Sequence, residues 1–412
     1  MQKLAIIGAG ISGLSAAHFL KNRFDIILFE KEIIPGGLIR CKRENSSLFH
    51  ICGGHVFNTK RQDILRWFWT MFNQEKEFTK AERNSVVFMD EERIIPYPIE
   101  NHVYLFDKDV QERIIKDMIF IANNNCEPHN FEEFLRGRFG DTLYNIYFRP
   151  YNEKVWRRDL RQVPLSWLEG KLPMPTAEEI LFNNMNHIEE KQFVHSSFWY
   201  PINGGSQFIA DRLAKGLSIV YGKNIKNLCY VNGKWNIDGN TFDKVVFCGN
   251  LMEMVKMIEG VDVAPFIPDV ERLEYHGTTS VFCKIDNNPY SWIYQPSQFH
   301  DSHRIICTGN FSKYNNNADM MTGTVEFTDE VSKHEIQINL AKMPLNPHYL
   351  THSYNKYTYP LQNHRTRQLV CELKKRMEPL GFFFTGRFAN WEYYNMDAAI
   401  GASMNLCERI LP

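Results

Sequence analysis

The sequence predicts an α/β protein, and three observations predict it. The chain opens on "KLAIIGAGISGLSAAHFL", where apolar Leu4 to Ile7 meet Gly8, Gly10 and Gly13, and helical spacing follows from Leu14 to Leu20. A second apolar run, Asp25 to Phe29, ends on Glu30. Further along, helical patterns give way to alternating ones and then return to a strand and helix at the C-terminus. Together they describe a Rossmann-like dinucleotide-binding domain assembled from discontinuous segments, with a helical insertion and a mostly antiparallel sheet substrate domain.

The glycines of the opening turn let the backbone approach a pyrophosphate, whose charge then sits on a helix N-terminus. Glu30 stands where an acid accepts hydrogen bonds from ribose hydroxyls. The residues after it narrow the dinucleotide. Pro35-Gly36-Gly37 and "ICGGHVFN", with Gly53, Gly54 and His55, are not needed by a NAD fingerprint; they suit a chain passing close to a large planar ring, and the cofactor they predict is FAD.

Segments from about Asp107 to Pro150 and from Ala177 to about Glu190 read as helices. "SVVFMDEERIIPYPI" reads as a hairpin, and alternating stretches between about Leu273 and His364 read as strands of the same sheet. "INGGSQFIADRLAKGL" gives a turn and helix, and "FDKVVFCGN" a short buried strand. The expected division is residues 1–80, 200–265 and 365–412 for the FAD-binding domain, 101–199 for a mostly helical domain, and 81–100 with 266–364 for the antiparallel-sheet substrate domain.

At 412 residues the chain has room for two or three domains and a sizeable core. A net charge of −1 excludes a protein dedicated to nucleic acid or to an anionic membrane surface, so an anionic ligand must be caught by local basic residues. No run reaches the roughly 18 apolar residues of a membrane helix, and the opening strand is too short for a signal peptide, so no integral membrane segment and a cytoplasmic location are expected. Nine scattered cysteines without metal spacing point to reduced thiols and no metal site. A homo-oligomer is compatible with this composition.

Eight motifs occur in order: "GAGISGLSAA", "GGHVFN", "IPYPIENH", "RPYNEKVW", "YPINGGSQ", "WIYQP" followed by "HRI", "YTYP", and "GRFANWEYYNMDAAI". In this order they resemble the UDP-galactopyranose mutases, a branch of the amine-oxidase-like and protoporphyrinogen-oxidase-like flavoproteins. The resemblance spans nearly the whole chain. It implies an isomerase in which N5 of reduced flavin attacks the anomeric carbon of UDP-galactopyranose as UDP leaves. The sugar then recloses as a five-membered ring without net redox, for cell-surface glycan biosynthesis. Such a protein needs to fix the ring, grip the diphosphate and exclude water, which predicts aromatic and basic residues rather than a triad.

By resemblance His55 lies beside the isoalloxazine, and the other reading of a lone histidine is a satisfied structural one. Trp156 corresponds to the tryptophan at the sugar and uridine end, although an aromatic at helical spacing also suits a core. Tyr97, Tyr294, Tyr359 and Tyr393 match tyrosines that line the UDP-sugar site. Two cations would hold the diphosphate: Arg304, ten residues after Tyr294, and Lys171, which stands where the family has arginine. Lysine keeps the charge and loses the bidentate fork; solvated surface charges are the alternative for both. His55, Arg304 and Lys171 form the candidate catalytic set. The cofactor set is Gly8, Gly10, Ser12, Gly13, Glu30, Lys31, Gly37, Leu38, Gly54, His55, Gly386, Arg387, Asn395, Met396 and Asp397. The last three open a helix whose N-terminus would face negative charge on reduced flavin, or merely be capped by Asn395. Two rivals stay open: a flavin oxidase or desaturase acting on an amine or isoprenoid, and a non-catalytic FAD-binding protein.

Overall fold

The computed structural model describes residues 1–90, 93–124, 127–165, 175–188, 197–317 and 321–411. Its first sheet is parallel, in the order Phe382–Phe384, Lys244–Phe247, Gln2–Ile7, Phe24–Phe29, Ile219–Val220. These strands come from opposite ends and the middle of the chain, as the discontinuous reading expects. They are apolar on both sides because the sheet is covered on both sides. Ala5, Ile7, Val245, Phe247, Phe382 and Phe384 face a cluster holding Trp235 and Trp391. Leu4, Ile6, Leu28, Val246 and Phe383 face the first helix, Ile11–Leu20, and the last, Met396–Ile410.

A second core lies among helices Lys108–Asn123, Phe131–Leu143, Arg149–Trp156 and Ala177–Met185, around Leu135, Tyr147 and Trp156. A seven-stranded sheet completes the molecule. Its order is His348–Leu361, Glu274–Ile285, Met321–Thr328, Arg304–Ile306, Trp292–Tyr294, Ser85–Phe88, Ile94–Pro96. Every neighbouring pair is antiparallel except Trp292–Tyr294 with Ser85–Phe88. One face carries Val281, Ile293, Ile305, Val325 and Phe327 into an apolar cluster; the other, the polar face, carries Tyr294, Arg304 and Glu326 beside Trp292 and Ile306, which join a smaller apolar cluster.

Two features depart from the expectations. A four-stranded sheet, Asn240–Phe242, Lys234–Ile237, Leu228–Val231 and Ile258–Glu259, stands within what reads as nucleotide-domain sequence. Its signals are Asn232-Gly233 and Asp238-Gly239, both pairs at positive φ (52° and 78°, 49° and 79°), as tight hairpin turns require. Helix Lys333–Leu340 interrupts the run of strands, and a reciprocal cap between Ser332 and Glu335 starts it. Among the described residues no helix is long and apolar enough to cross a membrane.

The first helix sits directly on the glycine turn, since a Cβ at Gly13 would lie 1.9 Å from the Gly8 carbonyl oxygen. Gly137, in the helix Phe131–Leu143, has nothing within 4 Å of a Cβ. Gly13→Ala is therefore expected to cost roughly 3 kcal/mol or more, whereas Gly137→Ala should stabilise by about 0.5–1 kcal/mol. Urea denaturation of the two variants beside the parent checks both signs.

Candidate functional site

The cofactor end is built from backbone. Gly8 has φ +104°, and Gly10 enters the first helix in an extended conformation with no side-chain cap. The Pro35-Gly36-Gly37 loop lies on this turn: Gly36 N donates to Ala9 O at 2.8 Å, and a Cβ at Gly37 would come 3.2 Å from the Gly10 Cα. Glu30 is buried, and its carboxylate accepts from Ala9 N at 2.6 Å and Glu32 N at 3.0 Å. Each oxygen keeps a lone pair for a further donor. Leu38 is half-buried beside this turn, whereas Lys31 is exposed.

The last helix closes the same end. Ser403 Oγ donates to Ser12 O at 3.0 Å, and a Cβ at Gly386 would be 3.2 Å from Ser12 Oγ. Asn395 occupies the N-cap position with an extended backbone but no side-chain cap bond, Met396 is buried and Asp397 is in the first turn. Two helix N-termini, each without a side-chain cap, thus belong to one packed pair.

The ribbon Cys41–Glu44 and Ser47–His50 delivers the Gly53-Gly54-His55 loop onto the polar face of the seven-stranded sheet. A Cβ at Gly54 would lie 2.8 Å from Ile306 Cγ2 and 3.2 Å from Trp292 Nε1. On that face Tyr294 is directly opposite Arg304, Arg304 opposite Glu326, and Glu326 opposite Ser280. Directly opposite residues share a face. Arg304 Nε donates to Glu326 Oε2, and its Nη2 to Tyr359 Oη at 2.9 Å. Glu326, with no exposed surface, accepts from Gly53 N through its other oxygen at 2.8 Å. Tyr359 stacks on Tyr393 with centroids 5.4 Å apart, and the Arg387 guanidinium lies 4.7 Å from the Tyr393 ring. Arg387 also donates to the Thr358 and Tyr394 carbonyls, which fixes its plane.

Burial opposes the charge on Arg304, yet Glu326 together with Tyr359, Tyr151 and Tyr393 more than offsets it and holds the guanidinium charged. Burial pushes the Tyr359 and Tyr151 phenols up, with Arg304 opposing both. The His55 ring falls well below its usual value, through burial first and then Arg387, His50 and Arg304. It is therefore neutral, and among the described residues its Nε2, shut from solvent, has no hydrogen-bond partner.

The structure brings together Tyr97, Tyr294, Arg304, Tyr359, Tyr393, Arg387, Gly54 and His55. Tyr97 packs on Tyr294 at 4.8 Å. Trp156 is 6 % exposed inside the helical core, edge-on to Phe131 at 6.2 Å, so its core character is plain. Lys171 lies outside the described residues. Sequence reasoning missed Glu326 and Tyr151. A lone acid in the apolar run "TGTVEFT" signalled the first, and "RPYNEKVW" contained the second.

Comparison with known proteins supplies the context. Residues 6–74 match a family described as an NAD(P)-binding Rossmann-like domain. The UDP-galactopyranose mutase of Mycoplasma genitalium is 21% identical over 99% of this chain and 94% of its own. The dTDP-fucopyranose mutase of Escherichia coli is 25% identical over 42% of this chain, and the match spans 46% of that relative. Among solved structures, a reduced UDP-galactopyranose mutase superposes with a TM-score of 0.87 at 21% identity, covering 100% of this chain and 94% of that one. Putrescine oxidase with putrescine bound reaches 0.65 at 13% identity, covering 100% and 99%. At such identities the structural likeness establishes the fold. Fold and glycine turn define the class: a protein with a Rossmann-like dinucleotide-binding domain. Within that class the chain is similar over nearly its whole length to UDP-galactopyranose mutase.

The loop carrying His55 is held from behind by His50, whose Nδ1 accepts from His55 N at 3.3 Å and whose Nε2 donates to Tyr200 Oη at 2.7 Å. Burial lowers the His50 ring from 6.5 to about 3. Between these values the unfolded chain binds a proton that the folded chain does not, so stability falls as pH falls. From pH 7 to 5 this one ring should remove about 2 kcal/mol. His50→Gln should abolish that share of the slope, as urea unfolding at the two pH values would report.

Proposed function

We propose that the protein is an FAD-dependent nucleotide-sugar mutase, a cytoplasmic isomerase that interconverts UDP-galactopyranose and UDP-galactofuranose or a related nucleotide hexose for cell-surface glycan biosynthesis. The observation that carries this is the row Tyr294, Arg304, Glu326 with Tyr359, set against the loop of His55. It puts a charged guanidinium and phenol hydroxyls beside the place where a flavin ring would lie.

The residues present fit FAD. The first helix and the last lack side-chain caps, the Glu30 carboxylate retains lone pairs, and the buried His55 Nε2 has no partner among the described residues. Pyrophosphate would lie on the Gly8–Gly13 turn, with ribose hydroxyls on Glu30, the ring against Gly54 and His55, and its pyrimidine end toward Gly386–Asp397. Bound and reduced, the flavin supplies the nucleophile for the anomeric carbon. The chain's own work is binding and orientation. Arg304, together with Lys171 as the resemblance implies, holds the diphosphate and favours its departure as an anion. Tyr97, Tyr294, Tyr359 and Tyr393 donate hydroxyls, Trp156 packs the helical core behind them, and neutral His55 keeps a lone pair or an N–H facing the ring without adding charge.

The name of the E. coli relative keeps the sugar and base open, so a trial needs more than one substrate. Protein photoreduced without oxygen is mixed with UDP-galactopyranose, UDP-galactofuranose and dTDP-fucopyranose, and the products are separated by chromatography. Ring-contracted or ring-expanded product is expected only from reduced protein, with no stoichiometric use of NAD(P)H or oxygen. Steady oxygen uptake driven by an amine such as putrescine would establish the oxidase rival instead. Arg304→Lys should weaken UDP about tenfold with unchanged FAD content, since charge is kept and the fork is lost.

A further inference from the structure

We infer that Lys154 is a positioning residue for the substrate site: its buried side chain pins the helix that carries Tyr151 to the hairpin that carries Tyr294 and Arg304, and so sets the width of the slot between them. The inference rests on the nucleotide-sugar reading and concerns the shape of the slot rather than a contact with the ligand. Lys154 belongs to the helix Arg149–Trp156 and is 9 % exposed. Its Nζ donates to Ser302 O at 2.9 Å and to Gln295 O at 3.1 Å. Gln295 follows Tyr294, and Ser302 lies two residues before Arg304, so the two carbonyls stand at the two ends of the loop joining the strands Trp292–Tyr294 and Arg304–Ile306. Gln295 N donates to His303 O at 3.0 Å, which carries the ladder up to this point.

The helix sets the other side of the slot. Tyr151 and Lys154 are three residues apart and share a face. The Tyr151 ring meets Tyr294 edge-on at 5.6 Å and His303 at 6.5 Å. A buried ammonium is costly, and burial lowers that of Lys154 from 10.5 to about 7, with Asp301 opposing. Packing alone would be served as well by an apolar side chain of similar length. Such a side chain could not satisfy two main-chain carbonyls on opposite sides of a hairpin, and leaving them without donors has its own cost. The next two residues tie the same helix elsewhere: Thr328 Oγ1 donates to Val155 O at 3.3 Å and His276 Nε2 to Trp156 O at 2.7 Å. Those bonds fix the helix end to the strands Met321–Thr328 and Glu274–Ile285, whereas Lys154 fixes it to the hairpin.

The experiment titrates UDP against the FAD-loaded parent, Lys154→Met, Tyr151→Ala and the double variant, with FAD content and melting temperature recorded for each. Lys154→Met should weaken UDP about five- to tenfold in the parent and leave FAD content unchanged. In the Tyr151→Ala background, where one wall of the slot is gone, the same change should weaken UDP less than about twofold, because residues that act through one geometry are non-additive. A lysine that only supports the fold would give equal losses in both backgrounds, and that result overturns the inference. So does unchanged UDP affinity in Lys154→Met. If Lys154→Met loses FAD or melts below the assay temperature, Lys154→Gln, whose polar but shorter side chain loses the bridge, takes its place in the cycle under the same criteria. A parent that binds no UDP refutes the nucleotide-sugar reading itself, whereas UDP bound by the parent with equal losses in the two backgrounds overturns the positioning role alone.

Discussion

The carboxylate of Glu326, fully buried in the middle of the antiparallel sheet, is the constraint on which the site depends. A carboxylate without water costs several kcal/mol unless charge and donors replace the lost solvent. Here Arg304 supplies the charge and Gly53 N a donor at 2.8 Å. These two partners belong to different parts of the fold. One is on the strand Arg304–Ile306, and the other is on the loop that carries His55. Satisfying a single carboxylate therefore fixes the distance between the cation and the loop. A well-packed apolar pair could hold the sheet as firmly; it could not present a guanidinium in one orientation.

The pleat does the rest. Residues alternate faces along each strand, so Ile293, Ile305 and Val325 enter an apolar cluster while Tyr294, Arg304 and Glu326 line up on the opposite side. The apolar face anchors the strands, and each polar side chain inherits that rigidity. Catalysis by position rather than by proton transfer asks for such a surface. The neutral state of His55 follows from the same arrangement, since burial and the nearby Arg387 and Arg304 all oppose a proton on its ring.

Much of this was legible in the sequence, and the limits have physical causes. The glycine turn, Glu30, the parallel strands and the C-terminal strand and helix read directly, because their spacing is local. Tyr294, Arg304, Tyr359 and Tyr393 could be named from motifs, yet nothing local reveals that Tyr359, 55 residues beyond Arg304, bonds its guanidinium, or that Tyr393 stacks on Tyr359. Glu326 escaped notice because an isolated acid in an apolar strand looks like a solvated edge position until its neighbours are known. Trp156 shows the converse: within "RPYNEKVW" a site residue and a core residue have the same periodicity, and the helix buries Trp156 while Tyr151 reaches Tyr294. The small four-stranded sheet was announced by its Asn-Gly and Asp-Gly turns, a signal that the longer apolar runs on either side obscured.

Charge also separates the two chemistries that this architecture can host. An amine substrate approaches as a cation and must be desolvated beside the flavin, which a wall of guanidiniums makes unfavourable. Arg304 and Arg387 both stand beside the His55 loop, and among the described residues Arg304 is the ion-pair partner of the buried Glu326 carboxylate. Phenols whose protons are held by burial, Tyr151 and Tyr359 among them, extend the donor surface without adding negative charge. An isoprenoid would fare no better, because it could not replace the water removed from those donors. A ligand with several negative oxygens at one end and a stacking ring at the other satisfies the guanidiniums, the phenols and the aromatic wall together.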